Sequence, residues 1–89
     1  MDAELIASQP IAVTVRFFAL LREQAGCGEL VCSTTAGTPR QLYAELATQR
    51  GLTFPEHLLG VAVNERYAAL DAPLGDGDRI VFIPPVAGG

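Results

Sequence analysis

A chain of 89 residues, 49% hydrophobic and 18% charged, has room for one domain, which at this size buries roughly 60–65% of the surface its unfolded chain exposes. Six basic against ten acidic residues give a formal charge of −4, which repels phosphate backbones and anionic lipid and argues against nucleic-acid and membrane partners. All six basic residues are arginine, at positions 16, 22, 40, 50, 66 and 79, so Schiff-base chemistry and any lysine nucleophile are excluded.

Residues 1 to 10, MDAELIASQP, lack a basic n-region and an apolar run long enough for a signal peptide or a membrane span. They are read as a leader ahead of a domain over residues 11 to 85, and the protein is expected in the cytoplasm. There Cys27 and Cys32 stay reduced, and their spacing fits neither a redox C-x-x-C nor half of a zinc site.

IAVTVRFF, residues 11 to 18, alternates. Ile11, Val13, Val15 and Phe17 share one face and Thr14 and Arg16 the other, which predicts a half-buried strand. ALLREQAG predicts a short helix with Leu20, Leu21 and Ala25 packing and Gly26 ending it. ELVCST, residues 29 to 34, reads as a second strand turned back on the first around Cys27 and Gly28.

The main helix is TPRQLYAELATQRG. Thr38 is its N-cap, Pro39 its first residue, Gln41 completes a capping box, and Gly51 supplies the left-handed stop. Leu42 and Leu46, flanked by Tyr43 and Ala47, form the stripe that faces a sheet. FPEHLLG is a loop or a single turn, and residues 61 to 70 are two short strands meeting at Asn64 and Glu65. DAPLGDGD is a turn-rich loop, RIVFI a final strand, and Pro84 and Pro85 end its ladder pairing.

This order predicts an α+β roll: a mixed sheet of about five strands with one main and one shorter helix, and the first and last strands side by side at its centre. Within RIVFI, Ile80 and Phe82 point one way and Val81 and Ile83 the other, so Ile80 or Phe82 is expected to fill the core while Ile83, on the opposite face beside the tail, helps form an apolar partner surface.

Internal catalysis finds no support. Asp71, Asp76 and Asp78 lack the alternation and closing glutamate of a calcium loop, and His57 has no second ligand for a metal set. No nucleophile elbow or P-loop occurs. The unusual feature is the ending, residues 86 to 89, which closes the chain on Gly88 and Gly89. A glycine pair alone fits an inert stub. Two prolines, however, hold the exit extended, and the four residues beyond them reach roughly 13–14 Å. Glycines without Cβ atoms can pass a constriction that a side chain would block. A terminal carboxylate is ionised at neutral pH, with a pKa of about 3.3–3.7, and is a poor electrophile. Adenylation makes it reactive, and displacement of AMP by sulfur leaves a thiocarboxylate.

VRFFALLREQAG, VAVNERYA and DGDRIVFIPPVAGG together resemble the MoaD family, the small subunits of molybdopterin synthase, over residues 11 to 89. Pro-Pro-Val-x-Gly-Gly after a strand separates that family from the related thiamine sulfur carriers. The resemblance implies a β-grasp, ubiquitin-like fold. It also implies that the chain is not an enzyme on its own, binds no cofactor or metal, and carries sulfur covalently on Gly89. An E1-like, MoeB-like adenylyltransferase would use ATP to activate Gly89. A MoaE-like large subunit, in a heterotetramer, would then receive the tail and pass sulfur to precursor Z. Pro84, Pro85, Val86, Ala87 and Gly88 form the entering tail, and Phe82 and Ile83 the candidate partner interface. The rivals are a carrier serving thiamine or cysteine synthesis, a ubiquitin-like protein modifier, and a binding module with an inert tail.

Overall fold

The computed structural model of the chain describes residues 9–85. The leader expected before residue 9 and the tail residues Val86, Ala87, Gly88 and Gly89 therefore lie outside the described residues.

Strand β1 (Ile11–Phe17) buries Val13, Val15 and Phe17 and exposes Ala12 and Arg16, the period-two pattern of a strand with one wet face. Phe18 is still extended but stands at the N-cap of α1 (Ala19–Ala25), which Gly26 ends at φ 81°. Leu21 and Ala25, one turn apart, are the residues α1 buries. Leu20, expected to pack, is 45% exposed: a helix of seven residues turns only one narrow stripe inward, and Leu20 lies off it.

Strand β2 (Glu29–Thr34) pairs antiparallel with β1 from Ile11↔Thr34 to Arg16↔Glu29. Helix α2 (Pro39–Arg50) begins as its sequence dictates, with the Thr38 hydroxyl accepting from the Gln41 N–H at 3.2 Å and Gly51 in the left-handed region at φ 73°. The return arm of the capping box differs. Gln41 Oε1 accepts from the Gly37 N–H at 2.7 Å, one residue before the N-cap amide that a capping box uses. Leu42, Tyr43 and Leu46 are buried, the Tyr43 hydroxyl donates to the Phe54 carbonyl at 2.8 Å, and the Tyr43 ring meets Phe82 edge-on at 5.3 Å.

After a 3-10 turn (Glu56–Leu58) come β3 (Gly60–Val63), β4 (Arg66–Ala68) and β5 (Arg79–Ile83). Asn64 and Glu65 join β3 to β4 with φ 53° and 71°, the positive pair a two-residue hairpin turn requires. The five strands run in the order β2-β1-β5-β3-β4. β1 and β5 are parallel and central, and β3 is antiparallel to both β4 and β5.

Leu21 and Ala25 of α1 and Leu42, Tyr43 and Leu46 of α2 share one core with Val13, Val15, Phe17, Val61, Ile80 and Phe82. Those strand residues occupy a single face, so both helices cover the same side of the sheet. Phe82, expected at a partner interface, is instead fully buried. The register Phe17↔Phe82 and Val61↔Phe82 puts its ring on the helix side, under Tyr43.

The irregular segments are tied by polar contacts. Arg40 donates from Nε to Asp71 at 2.8 Å and from Nη1 to Glu56, while its N–H bonds the Leu70 carbonyl at 2.9 Å. The start of α2 thereby holds both the 3-10 turn and the segment after β4. Asp76 accepts from the Ala12 N–H at 2.8 Å, and Asp78 accepts from Gly75 N–H at 2.7 Å and Asn64 Nδ2 at 2.9 Å. These aspartates are turn acceptors, and among the described residues no group of three or more His, Cys, Asp or Glu is placed to hold a metal. Likewise, no helix among the described residues is long and apolar enough to cross a membrane.

Truncating the most enclosed aromatic, Phe82→Ala, is expected to cost about 3–5 kcal/mol through lost burial and a cavity, read as a lower urea midpoint with an unchanged slope. The Arg40 hydrogen bonds hold the Asp71 carboxyl below its ordinary value. A depressed carboxylate contributes stability that is complete above its unfolded pKa and is lost as pH falls through the folded one. Asp71→Asn is therefore expected to flatten part of the acid limb of the stability–pH curve. The effect should be small and salt-sensitive, since the two side chains are 41% and 69% exposed.

Candidate functional site

The site is built where β5 ends. Because β5 lies between β1 and β3, its last residues leave the sheet from the centre. The final pairs are Phe17↔Phe82 and Gly60↔Ile83, after which the prolines offer no N–H to either neighbour. Pro84 is buried and Pro85 exposed. Pro84, expected in the tail that enters a partner, is therefore packed into the domain, and Pro85 is the exposed residue that follows it. Val86, Ala87, Gly88 and Gly89 fall outside the described residues.

The segments adjoining this end of the sheet expose large apolar side chains: Phe18 at 44% after β1, Leu20 at 45% in α1 and Leu58 at 52% before β3. Phe18 and Leu20 are presented there by a sharp corner between strand and helix, with Ala19 at φ 52°, a left-handed conformation that costs a non-glycine residue roughly 1–2 kcal/mol.

The sheet face away from the helices is open. Register places one row across it, Glu29, Arg16, Val81, Ala62 and Tyr67, with Val31 and Thr14 in the adjoining row. Val31 is 70% and Tyr67 86% exposed, while Val81, Ala62 and Ile83 are half-buried. Ile83 thus lies on the face opposite Ile80 and Phe82, and its neighbour Gly60 has no side chain with which to cover it. Charged pairs flank the apolar strip: Arg16–Glu29 at 3.8 Å and Arg79–Glu65 at 3.2 Å. The Arg16 guanidinium also sits 5.6 Å from the Phe18 ring centre, which joins the open face to the tail-root corner.

Nothing in this region resembles a reaction centre. His57 is exposed on the 3-10 turn. Cys27 and Cys32 are free; Cys27 Sγ lies 3.8 Å from Arg50 Nη1, and burial, then Glu45, push the Cys32 thiol up. An exposed apolar strip of Val81, Ile83, Ala62 and Tyr67, flanked by charged pairs and adjoining the end of β5, is a candidate recognition surface. It can present a tail to chemistry housed elsewhere.

Of the expected interface pair, only Ile83 lies on this surface. Phe18, Tyr67 and Leu58 were not singled out from sequence. The available signal was the second phenylalanine of FF: two adjacent aromatics in a strand point to opposite faces, so one must leave the core.

Residues 15–89 match the ThiS family. The chain is 35% identical over 80 residues to the molybdopterin synthase sulfur carrier subunit of Escherichia coli (strain K12), an alignment spanning 86% of this chain and 99% of that protein. Its fold resembles the small archaeal modifier protein 1 of Methanosarcina acetivorans, with TM-score 0.71, 25% identity and coverage of 91% and 99%. It also resembles a chain of the complex of subunits 1 and 2 of molybdopterin-converting factor from Helicobacter pylori 26695, with TM-score 0.61, 31% identity and coverage of 89% and 100%.

Opposite outcomes are expected from aspartate at two neighbouring β5 positions. Ile80→Asp buries an unpaired carboxylate among apolar side chains and should prevent folding. Ile83→Asp, on the open face, should retain native far-ultraviolet circular dichroism and lose only about 1–2 kcal/mol of stability.

Proposed function

Since the chain belongs to the ThiS family, we propose that it is the sulfur carrier subunit of a molybdopterin synthase, working in the cytoplasm with Gly89 as the carrying residue. The observation that bears this reading is the near full-length likeness to the Escherichia coli sulfur carrier. The tail root supports it: a central strand ends on a buried proline, an exposed proline follows, and an open apolar face adjoins them.

In this reading an E1-like adenylyltransferase docks on the open face and joins AMP from ATP to the Gly89 carboxylate. A sulfur donor displaces AMP, leaving a thiocarboxylate. The tail then enters the active site of a large synthase subunit and sulfur passes to precursor Z, with two copies of each subunit in the assembly. The chain's own residues bind, orient and deliver. Ile83, Val81, Ala62, Tyr67 and Phe18 supply the apolar contact, and Pro84 fixes the direction of exit. The bound subunit pair of Helicobacter pylori favours a large-subunit partner. A second reading, attachment of the C-terminal glycine to other proteins, is favoured by the likeness to the archaeal modifier.

Intact-mass measurement of the protein from its native host separates the two: the carrier replaces one carboxylate oxygen with sulfur, whereas the modifier appears in high-mass adducts. Adding one residue after Gly89 is expected to abolish sulfur loading while folding is unchanged, because the reacting carbon moves by roughly 3.3–3.6 Å and misplacement by ~1 Å can cost about a hundredfold. Gly89→Ala keeps the length but adds a Cβ and should lose activity partially. Wild-type thiocarboxylate formation in the extended protein would refute the carrier reading. Ile83→Asp should weaken large-subunit binding at least about tenfold, equivalent to about 1.4 kcal/mol, by titration calorimetry.

A further inference from the structure

The 89 residues contain no lysine, and the cations on the surface are arginines. Arg16, Arg22, Arg50, Arg66 and Arg79 are all exposed. Nothing in their contacts requires guanidinium in every case. The Arg16–Glu29 and Arg79–Glu65 pairs are each held through a single nitrogen–oxygen contact on the surface, which an ammonium could make as well. The bidentate contact is Arg40 on Asp71, Nε at 2.8 Å and Nη2 at 3.2 Å, and Arg40 is only half exposed.

The two cations differ in nucleophilicity. A guanidinium stays protonated throughout the physiological range and presents no free lone pair near neutral pH. An ε-amine, with a pKa of about 10.4, always has a small free-base fraction that attacks activated carbonyls. That attack forms a C–N bond at the carbonyl carbon, breaks the carbonyl-carbon–oxygen bond to AMP, sends the electron pair out on the AMP phosphate, and releases the amine proton to water. The product is a stable amide.

We propose that the lysine-free surface makes this chain a one-way acyl donor. Its activated Gly89 carbonyl passes to external acceptors but is not trapped as an amide on side chains of a second copy, so the protein does not build side-chain-branched chains upon itself; the chain's α-amine is the one amine left as an acceptor. This rests on the reading that Gly89 is activated at its carboxyl, and it extends that reading to the protein-modifier case: any protein acylated by this chain carries no further copies branched from side chains of the first. The thiols do not alter the outcome. Capture by Cys27 or Cys32 gives a thioester, which any free thiol reverses, and Cys32 is half-buried with its thiol held up by burial.

The test needs no adenylyltransferase. The full chain, its α-amine acetylated during expression in every sample, is prepared with Gly89 as a C-terminal thioester by intein cleavage and held concentrated at mildly alkaline pH with free thiol. It is then treated with hydroxylamine, which cleaves thioesters and spares amides, and weighed intact. A second sample is the same thioester with Arg16, Arg22, Arg50, Arg66 and Arg79 all changed to lysine, its fold checked by thermal melting. A third is the wild-type thioester with Nα-acetyl-lysine amide. Wild type is expected to acylate the added lysine derivative yet show at least tenfold less amide-linked dimer than the lysine variant. Equal amounts of amide dimer in the two proteins, whether abundant or absent, would overturn the inference, since the arginines would then decide nothing. Pyrophosphate release with the host's adenylyltransferase and ATP is measured separately. Failure there removes activation by adenylation and leaves the thioester result to stand or fall by itself.

Discussion

The parallel pairing of β1 with β5 is the constraint on which the rest of the structure depends. It joins the first and last strands of the domain, from Thr14↔Arg79 to Phe17↔Phe82. Parallel neighbours cannot be linked by a tight turn, so the chain between them must cross over the sheet. The crossing from β2 on one side of the central pair to β3 on the other contains α2, α1 lies in the connection of β1 to β2, and both helices land on the face that carries Val13, Val15, Phe17, Ile80 and Phe82. Among the described residues no second layer covers the other face. Its exposure is therefore a consequence of topology and size.

Function follows from the same asymmetry. A central strand is the most firmly held part of a small sheet, and here it is followed directly by buried Pro84 and exposed Pro85, while the face beside them offers Val81, Ile83, Ala62 and Tyr67. An anchored tail beside an apolar recognition surface, with no cluster of acid, base and nucleophile among the described residues near it, suits a subunit that delivers a group. Specificity then lies in the match between two surfaces.

Polar contacts hold the irregular half of the chain in register with this frame. Arg40 joins the start of α2 to both Glu56 and Asp71. Gln24 and Thr53 exchange bonds of 2.8 and 3.0 Å between α1 and the segment after α2. Buried Thr34 donates to Glu45 at 2.6 Å and accepts from the Ala36 N–H at 3.0 Å. Each satisfies groups that a long loop would otherwise leave unpaired, so the segment between α2 and β3 keeps a defined path despite little regular structure.

Much of this was written locally. Alternation in 11–17 and 79–83, the Thr38–Pro39 start and Gly51 stop of α2, and the Asn64–Glu65 turn are short-range signals, and strand and helix limits follow them within a residue or so. The Gly-Gly ending and the six arginines are likewise properties of the chain alone, and they supply the chemistry of the functional reading. Alternation also separates Ile80 and Phe82 from Val81 and Ile83, and the expected core side for Ile80 or Phe82 agrees with the burial of both. The assignment of Phe82 to an interface as well fails because the helices land on its face and Tyr43 packs on its ring. The exposure of Phe18 and Leu20, the burial of Pro84 and the continuity of the open face with the tail root were decided by tertiary structure for the same reason. Periodicity divides residues between two faces, and only the long-range contact of β1 with β5 determines which face is covered.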